Sequence, residues 1–308
     1  MKLILSLLIL SSALANHFDL LCEKSLRYQN GQTVSDKIEL FKGNENNYAI
    51  GKKQGTGYFL DITNKSNELT FSSSEKMLPK DLKEYEGKIY ILFADRIQVR
   101  DSINYNLLLE FATLKSPIVN KYQAAWEIEI LDDKIYVAHG SEHLMVLNRA
   151  TGKIIDKKKF DVQKKPSHRS ILSGIEVYQN KIYMIFDNIT YDFGDKTRAF
   201  EGMVLADQKT LKTQKIIWLN QKREALHEPS LERDGDVLYS QNLHIIFNYR
   251  IDKIEKLRSL NPNRRLYNFN RKALVGKPMV ENKTITGCFR EYYSDSDEPK
   301  VIYSSFSY

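Results

Sequence analysis

Three glutamates are the residues whose chemistry points most clearly to a binding site. Glu127, Glu176 and Glu228 stand at or near the beginning of predicted β-strands in three successive segments of the chain. Ca²⁺ takes about six to eight oxygen ligands, and carboxylates from separate strands can supply them when the strands converge. We therefore expect these side chains to face one binding site. The ordinary alternative is that each carboxylate caps a strand end beside water, because glutamate is mostly exposed.

The histidines and the nucleophile motifs provide weaker evidence for a functional site than the glutamates do. His139 and His143 flank a predicted hairpin turn with Glu142 between them, but a metal site there needs another ligand that the sequence does not identify. We expect both to be surface residues of the turn. The chain has no Gly-x-Ser-x-Gly elbow and no catalytic cysteine context. The sequence thus favours a protein without catalysis of its own.

The segment Trp126–Phe160 shows which elements would position these residues. Trp126, Ile128 and Ile130 alternate with glutamates, and this period of two sends apolar side chains to one face of a strand. Three further short strands are predicted after it. The turns between the strands are Asp132-Asp133, His139–Glu142 and Arg149–Gly152.

The second strand of this segment recurs along the chain. Its sequence signature is a turn followed by an apolar pair that ends in tyrosine, and the four tyrosines are separated by 46, 47 and 56 residues. A repeat of roughly 40 to 50 residues with four strands is typical of a β-propeller blade. The repeated residues are Tyr90, Tyr136, Tyr183 and Tyr239.

The segment Leu144–Ile155, with its Thr-Gly-Lys turn, resembles the blade-ending hairpin of quinoprotein-like and YVTN-type β-propellers. The resemblance implies an all-β chain of four-stranded antiparallel blades. We count six blades, with seven as the alternative, because residues 17–41 either complete the last blade or add part of another. Residues 16–308 are interpreted as one propeller domain. Trp126 and Trp218 are expected to pack between blades, and without a tryptophan-rich docking motif no quinone cofactor is expected.

Two segments resemble blade openings of six-bladed propellers that include calcium-dependent esterases and lactonases: Leu172–Glu176 and His227–Leu231. This resemblance implies Glu176 and Glu228 as metal ligands and His227 as a general base. The chain departs from that pattern, because no Asn or Asp ligands stand at matched places in the other blades. A Ca²⁺-dependent hydrolase is therefore the alternative function, and otherwise no cofactor is expected.

The connection Asn188–Phe200 is longer than the corresponding connections in the other repeats. Long loops on a rigid scaffold often carry function. We predict that Asp192 and Arg198, together with the three glutamates, form a binding face at the channel mouth. Its ligand would be an unidentified protein or small molecule, and we expect a monomer.

Export is predicted from residues 1–15. Lys2 precedes the apolar run Leu3–Leu10, and Ala13-Leu14-Ala15 matches a signal-peptide cleavage site. The apolar run is too short to span a bilayer. We expect a secreted or periplasmic protein.

Cysteine usage and charge fit that interpretation. The chain has two cysteines, Cys22 and Cys288, and a disulfide between them is favoured over two unpaired buried thiols in an oxidising compartment. Closing so long a loop would stabilise the fold by at most roughly 5 kcal/mol. The net charge of +7 is spread over many turns, which predicts a solvated surface and no nucleic-acid partner.

Overall fold

The computed structural model describes a chain whose regular elements are β-strands. Among its described residues, no helix is long and apolar enough to cross a membrane. The described residues fall into two compact units, one from residues 1–74, 234–237 and 244–308, the other from residues 75–233 and 238–243. The structure describes residues 26–29, 32–35, 38–43, 46–53, 56–63, 68–72, 78–114, 124–140, 143–162, 169–190, 198–224, 231–235, 237–240, 245–248, 253–256, 272–274, 279–282, 284–291 and 300–307.

The first strands of the chain form a hairpin and a four-stranded antiparallel sheet. In the sheet, each strand pairs with the next one along the chain, so the sheet follows chain order. The hairpin is β1 (Leu26–Gln29) and β2 (Gln32–Ser35), and the sheet is β3 (Ile38–Lys42), β4 (Asn47–Lys53), β5 (Thr56–Asp61) and β6 (Glu68–Thr70).

Three consecutive antiparallel sheets make up most of the second unit, each with its four strands in chain order. The predicted four-strand segment Trp126–Phe160 is confirmed as the middle sheet. The sheets are β7 (Pro79–Tyr85), β8 (Lys88–Phe93), β9 (Ile97–Asp101) and β10 (Leu107–Phe111); β11 (Ala125–Leu131), β12 (Lys134–His139), β13 (His143–Asn148) and β14 (Ile154–Lys158); and β15 (Arg169–Tyr178), β16 (Lys181–Thr190), β17 (Arg198–Asp207) and β18 (Thr213–Glu224).

The remaining strands form two more four-stranded sheets. In the last one, the third strand along the chain pairs with each of the other three, so this sheet does not follow chain order. The strands are β19 (Leu231–Asp234), β20 (Val237–Ser240), β21 (Ile245–Asn248) and β22 (Lys253–Lys256), followed by β23 (Lys272–Leu274), β24 (Met279–Glu281), β25 (Thr284–Glu291) and β26 (Lys300–Ser307).

The all-β class and the β-propeller architecture are confirmed. In the second unit the first strands β7, β11 and β15 each lie at one edge of their own sheet, and β11 contacts both β7 and β15, which is how neighbouring propeller blades are arranged. The number of blades stays a prediction. Within residues 17–41, β3 opens the sheet β3–β6, while β1 and β2 pair only with each other among the described strands.

The repeated tyrosine joins one blade to the next. The hydroxyl of Tyr136 in blade β11–β14 accepts a hydrogen bond from Gln208 Nε2 in blade β15–β18, at 3.0 Å. Burial raises the pKa of Tyr90, and the Arg149 guanidinium of the following blade opposes that rise, which indicates a corresponding contact. Gln208 and Arg149 occupy matching places in the last turn of their blades. The tyrosine spacing therefore records a contact between neighbouring blades.

Apolar contacts between the blades form the core of this unit. Tyr136, Leu172 and Phe186 belong to one buried cluster that is shared by blades β11–β14 and β15–β18. Trp218 packs against this cluster and meets Phe186 edge to face, with ring centroids 5.1 Å apart. Trp126 packs against Ala94 and Ile171 of the two adjacent blades. The expected packing between blades is confirmed for Trp126, whereas the ring contact of Trp218 is with Phe186 of its own blade.

The prediction of a long irregular connection at Asn188–Phe200 is wrong at both of its ends. Strand β16 continues to Thr190 and β17 begins at Arg198, and the register pairs Asn188 with Phe200. The antiparallel ladder continues because pairing satisfies the backbone donors and acceptors of both segments. The end of β16 in this hairpin lies beside the start of β15, because Arg169 pairs with Ile189.

The structure describes only some of the residues near each end of the chain. Cys288 is buried on β25, and Cys22 lies outside the described residues, so their disulfide stays a prediction. Residues 1–15 also lie outside the described residues, and the signal peptide likewise stays a prediction.

The last turns of the three blades β7–β10, β11–β14 and β15–β18 share the same hydrogen-bonding pattern. A side-chain oxygen of Asp101, Asn148 or Asp207 accepts hydrogen bonds from the backbone of the turn. The residue four positions later then adopts positive φ: Tyr105, Gly152 and Leu211. Gly152 also lies against the preceding blade, since a Cβ there would overlap the ring of Phe111 and lie 2.7 Å from its Cβ.

Gly152→Ala should therefore destabilise the protein more than Gly87→Ala. Both glycines have positive φ, at 66° and 68°, but a Cβ on Gly87 would meet nothing closer than Ser102 Oγ at 3.9 Å. We expect about 1 kcal/mol for the conformational strain at Gly87 and about 1 to 3 kcal/mol more at Gly152 for overpacking. Urea unfolding measures both, and equal losses would contradict the contact with Phe111.

Candidate functional site

A β-bulge occurs at the same place in three first strands. The register shifts between Pro79 and Asp81 in β7, between Ala125 and Glu127 in β11, and between Leu172 and Gly174 in β15. A bulge inserts one extra residue and re-aims the side chains next to it. The bulge residues are Lys80, Trp126 and Ser173, and the residues that follow them are Asp81, Glu127 and Gly174.

The carboxylate after the bulge bonds to the backbone of the next blade. Asp81 Oδ2 accepts a hydrogen bond from the Ile128 N–H at 2.8 Å. Glu127 Oε2 accepts one from the Ile175 N–H at 2.7 Å and a second from the Leu231 N–H at 3.1 Å. All these contacts are buried. Each carboxylate thus satisfies a donor at the inner edge of a sheet, where no strand of that sheet can reach it.

Gly174 explains how the Glu127 carboxylate can accept hydrogen bonds from two other blades. It stands where Asp81 and Glu127 stand in the preceding blades, and it carries no side chain. A Cβ there would lie 3.3 Å from Glu127 Oε2 and 3.3 Å from the Leu231 nitrogen. The glycine therefore leaves room for the Glu127 carboxylate to extend past β15 to β19.

Two residues further along the first strands is a row of charged side chains: Lys83, Glu129 and Glu176. Lys83 and Glu129 form an ion pair between β7 and β11. Glu176 Oε1 accepts a hydrogen bond from Arg233 Nε at 2.9 Å, and the Arg233 guanidinium lies 4.7 Å from the Tyr178 ring centroid. The row therefore connects β7 with β11 and β15 with β19.

The pKa values of Lys83 and Glu176 in this row are both raised above their ordinary values. Burial lowers the pKa of Lys83, but the carboxylates of Glu129 and Asp81 outweigh it and raise that pKa above its ordinary value. Burial, followed by the charge of Glu129, raises the pKa of Glu176 to about 8, although Lys83 and Arg233 oppose the shift. Lys83 is thus charged and Glu176 mostly protonated at neutral pH.

His143 is fixed in one tautomer. Its Nδ1 accepts a hydrogen bond from the Phe160 N–H at 2.9 Å, so the ring proton is on Nε2, which donates to Ser170 Oγ at 3.2 Å. A general base would have to accept the serine proton. The pair is therefore not arranged as a nucleophile and its base.

The expectation that His139 and His143 are surface residues is wrong. Both side chains are buried. The ring of His143 lies parallel to Phe160 with centroids 6.4 Å apart, and it satisfies a buried backbone donor. Burial of the His143 ring is favourable because its Nδ1 replaces water as the hydrogen-bond acceptor of the Phe160 N–H.

The structure brings together two of the predicted binding residues, Glu127 and Glu176, on adjacent first strands. Arg198 begins β17 and pairs with Thr190 and Glu224, away from the charged row in the register of the sheet. Among the described residues, no three His, Cys, Asp or Glu side chains are grouped so that they could hold a metal ion. The predicted residues outside the described part of the chain are Asp192, His227 and Glu228.

The sequence interpretation missed Asp81, Lys83, Glu129 and Arg233. A signal for the first three was present, because Asp81 and Glu127 stand nine residues before the repeated tyrosine. Lys83, Glu129 and Glu176 stand seven residues before it. Aligning the repeats on the tyrosine would have brought both rows into register.

Comparisons with known proteins yield structural similarity alone. No protein-family model matches the chain, and no curated protein matches it. The N-terminal domain of Nup159 is 12% identical, with 89% of this chain and 77% of that chain covered and a TM-score of 0.48. BamB from Moraxella catarrhalis is 11% identical, with coverage of 90% and 84% and a TM-score of 0.46. The computationally designed Ika8 protein is 13% identical, with coverage of 91% and 86% and a TM-score of 0.43. Similarity at this level transfers no function.

Glu127→Ala should destabilise the protein more than Asp81→Ala. Within the described part of the chain, the first change leaves the N–H groups of Ile175 and Leu231 without this acceptor, and the second does so for that of Ile128. At about 1 to 3 kcal/mol for each buried unsatisfied group, Glu127→Ala should cost roughly twice as much. Urea unfolding with Glu127→Gln, which keeps one acceptor oxygen, as the intermediate case measures this. Equal losses would show that Glu127 does not serve two blades.

Glu176 should make stability fall as pH rises. Its pKa is about 8 in the folded protein against an ordinary 4.5, so between these values the folded state holds a proton that the unfolded state has lost. The free energy of unfolding contributed by this group is therefore greatest below pH 4.5 and decreases until about pH 8. Glu176→Gln removes this dependence. Urea unfolding of both proteins from pH 5 to 9 tests it, and parallel curves would contradict the raised pKa.

Proposed function

We propose that this protein is an exported β-propeller that acts as a binding module through protein contacts and has no catalysis of its own. The observation that carries the proposal is the outer strand β10, whose sequence is LLLEF. Leu107, Leu108 and Leu109 are 49%, 46% and 43% exposed, and Ile103 in the preceding turn is 85% exposed. An apolar group of this kind on a rigid surface is typical of an interaction site.

Strand β10 also has the geometry to pair with another chain. It forms the outer edge of the sheet β10-β9-β8-β7, and on the side where no described strand pairs with it, backbone donors and acceptors can bond to an added strand. Natural edge strands are normally protected by charges, above all lysines. The equivalent strand β14 follows that rule, because it ends in Asp156, Lys157 and Lys158. Strand β10 has no lysine, and its one charge, Glu110, is paired with Arg96.

The charged residues of the first strands support a module without catalysis. Asp81 and Glu127 bond to backbone N–H groups of neighbouring blades, and Lys83 is paired with Glu129. The His143–Ser170 pair has its proton on the wrong side for nucleophile activation. The contacts of these groups join neighbouring blades or satisfy buried donors, and this structural role is enough to account for their burial and pairing.

The alternative is a Ca²⁺-dependent hydrolase with Glu176 and Glu228 as metal ligands. Glu176 would have to give up its hydrogen bond to Arg233 and its proton to bind a cation. No contact of the described residues favours this alternative, and we do not propose it. A Ca²⁺-dependent rise in the unfolding midpoint that is abolished by EDTA would revive it, since a ligand of the native state stabilises by mass action.

The interaction surface is tested by photo-crosslinking. A benzophenone amino acid at Leu108 of β10, introduced in the exporting cell, should crosslink to a discrete partner. The matched position Lys157, exposed on β14, should not. The double variant Leu107→Lys/Leu109→Lys, which protects the edge with charge, should abolish the crosslink without changing the urea midpoint. Equal yields at both positions, or a crosslink that survives the lysines, would overturn the proposal.

A further inference from the structure

The three bulge residues Lys80, Trp126 and Ser173 share a feature that the fold does not explain. They occupy the same position in adjacent first strands, at the end where these strands begin. Their side chains all carry hydrogen-bond donors: an ammonium, an indole N–H and a hydroxyl. We call these three residues the donor cluster.

Two of these donors are buried and have no partner among the described residues. Trp126 is 7% exposed and Ser173 is 3% exposed. Neither the indole Nε1 of Trp126 nor Oγ of Ser173 makes a hydrogen bond within the described part of the chain. A buried polar group without a partner costs about 1 to 3 kcal/mol. Such a group in a folded protein requires an explanation, and a bound ligand is one.

The strands bring the donor cluster together. Lys80 Nζ lies 4.9 Å from the centroid of the Trp126 ring, so β7 and β11 are in direct contact at this level. Trp126 packs against Ile171 of β15, two residues before Ser173. The Glu127 carboxylate bonds to the Ile175 N–H, two residues after Ser173. The contacts on both sides of Ser173 therefore hold it next to Trp126.

Among the described residues, Lys80 carries the one charge of the donor cluster itself, and the carboxylates that follow the cluster in sequence, Asp81 and Glu127, are hydrogen-bonded to backbone N–H groups of neighbouring blades. Lys80 forms no ion pair among the described residues, which leaves its ammonium over the indole ring. The neighbouring Asp95, next to Ala94 in the packing around Trp126, is neutralised by Arg96 at 2.9 Å. A cation would be repelled by Lys80. A ligand with acceptor oxygens and one negative charge matches the three donors.

We propose that the donor cluster binds a carboxylate group. One oxygen would accept the Trp126 N–H and the other the Ser173 hydroxyl proton, while Lys80 supplies the opposite charge. Charge-assisted hydrogen bonds of this kind are about twice as strong as neutral ones. A phosphate dianion fits less well, because a single lysine supplies one charge. This site is independent of strand β10, so the failure of one proposal leaves the other intact.

The indole N–H reports directly on binding. The chain has two tryptophans, so a ¹⁵N-labelled protein shows two indole N–H signals, and the conservative Trp218→Phe variant leaves that of Trp126 alone. Trp126→Phe provides an independent assignment in the otherwise unchanged protein. Sodium acetate is the probe, titrated at constant ionic strength against sodium chloride and sodium phosphate.

Acetate should move the Trp126 indole signal downfield and saturate. Lys80→Gln should weaken the apparent affinity about tenfold, and Ser173→Ala severalfold, whereas Lys157→Gln on the outer strand should leave it unchanged. A titration without a saturable shift would mean that water alone satisfies the indole, and it would overturn the proposal. Equal saturation by chloride or phosphate, or unchanged affinity in Lys80→Gln, would also overturn it.

Discussion

The blades of the second unit depend on one requirement, the satisfaction of backbone N–H groups at the inner edges of the sheets. A first strand pairs with its second strand on one side only, and on the other side the N–H groups of Ile128 and Ile175 make buried hydrogen bonds to side chains of neighbouring blades. A buried donor without an acceptor would cost as much as a lost hydrogen bond. Asp81 and Glu127 supply the acceptors, and each reaches across to a neighbouring blade.

Several other features follow from this requirement. The bulges re-aim the first strands so that the carboxylate after each bulge points along the row of blades. Gly174 omits a side chain where Glu127 must pass. The charged row from Lys83 to Arg233 repeats the principle with the Lys83–Glu129 ion pair and the hydrogen bond from Arg233 to Glu176. Buried ion pairs are weak evidence for stability, because desolvation offsets much of their attraction. Their most direct effect here is to fix which residues of neighbouring strands face each other.

The sequence predicted the blades well and the roles of their charged residues poorly. The tyrosine period is visible because a local strand pattern and a blade-to-blade contact repeat together, as Tyr136 and Gln208 show. Glu127 and Glu176 were recognised as belonging to one place, but not as partners of backbone groups and of Arg233. Those partners lie 48 and 57 residues away in sequence, and periodicity carries no information about such pairings. The burial of His143 was missed for the same reason, since Phe160 reaches it only after a complete strand and turn.

Amide hydrogen exchange at three positions tests the central claim most directly. In the native protein, the amides of Ile128, Ile175 and Leu231 should all be protected by carboxylates. In Glu127→Ala, the account predicts faster exchange at Ile175 and Leu231, while Ile128 stays protected because Asp81 is intact. Exchange that is unchanged at Ile175 and Leu231, or equally accelerated at all three amides, would contradict the claim that each carboxylate holds its own neighbouring blades.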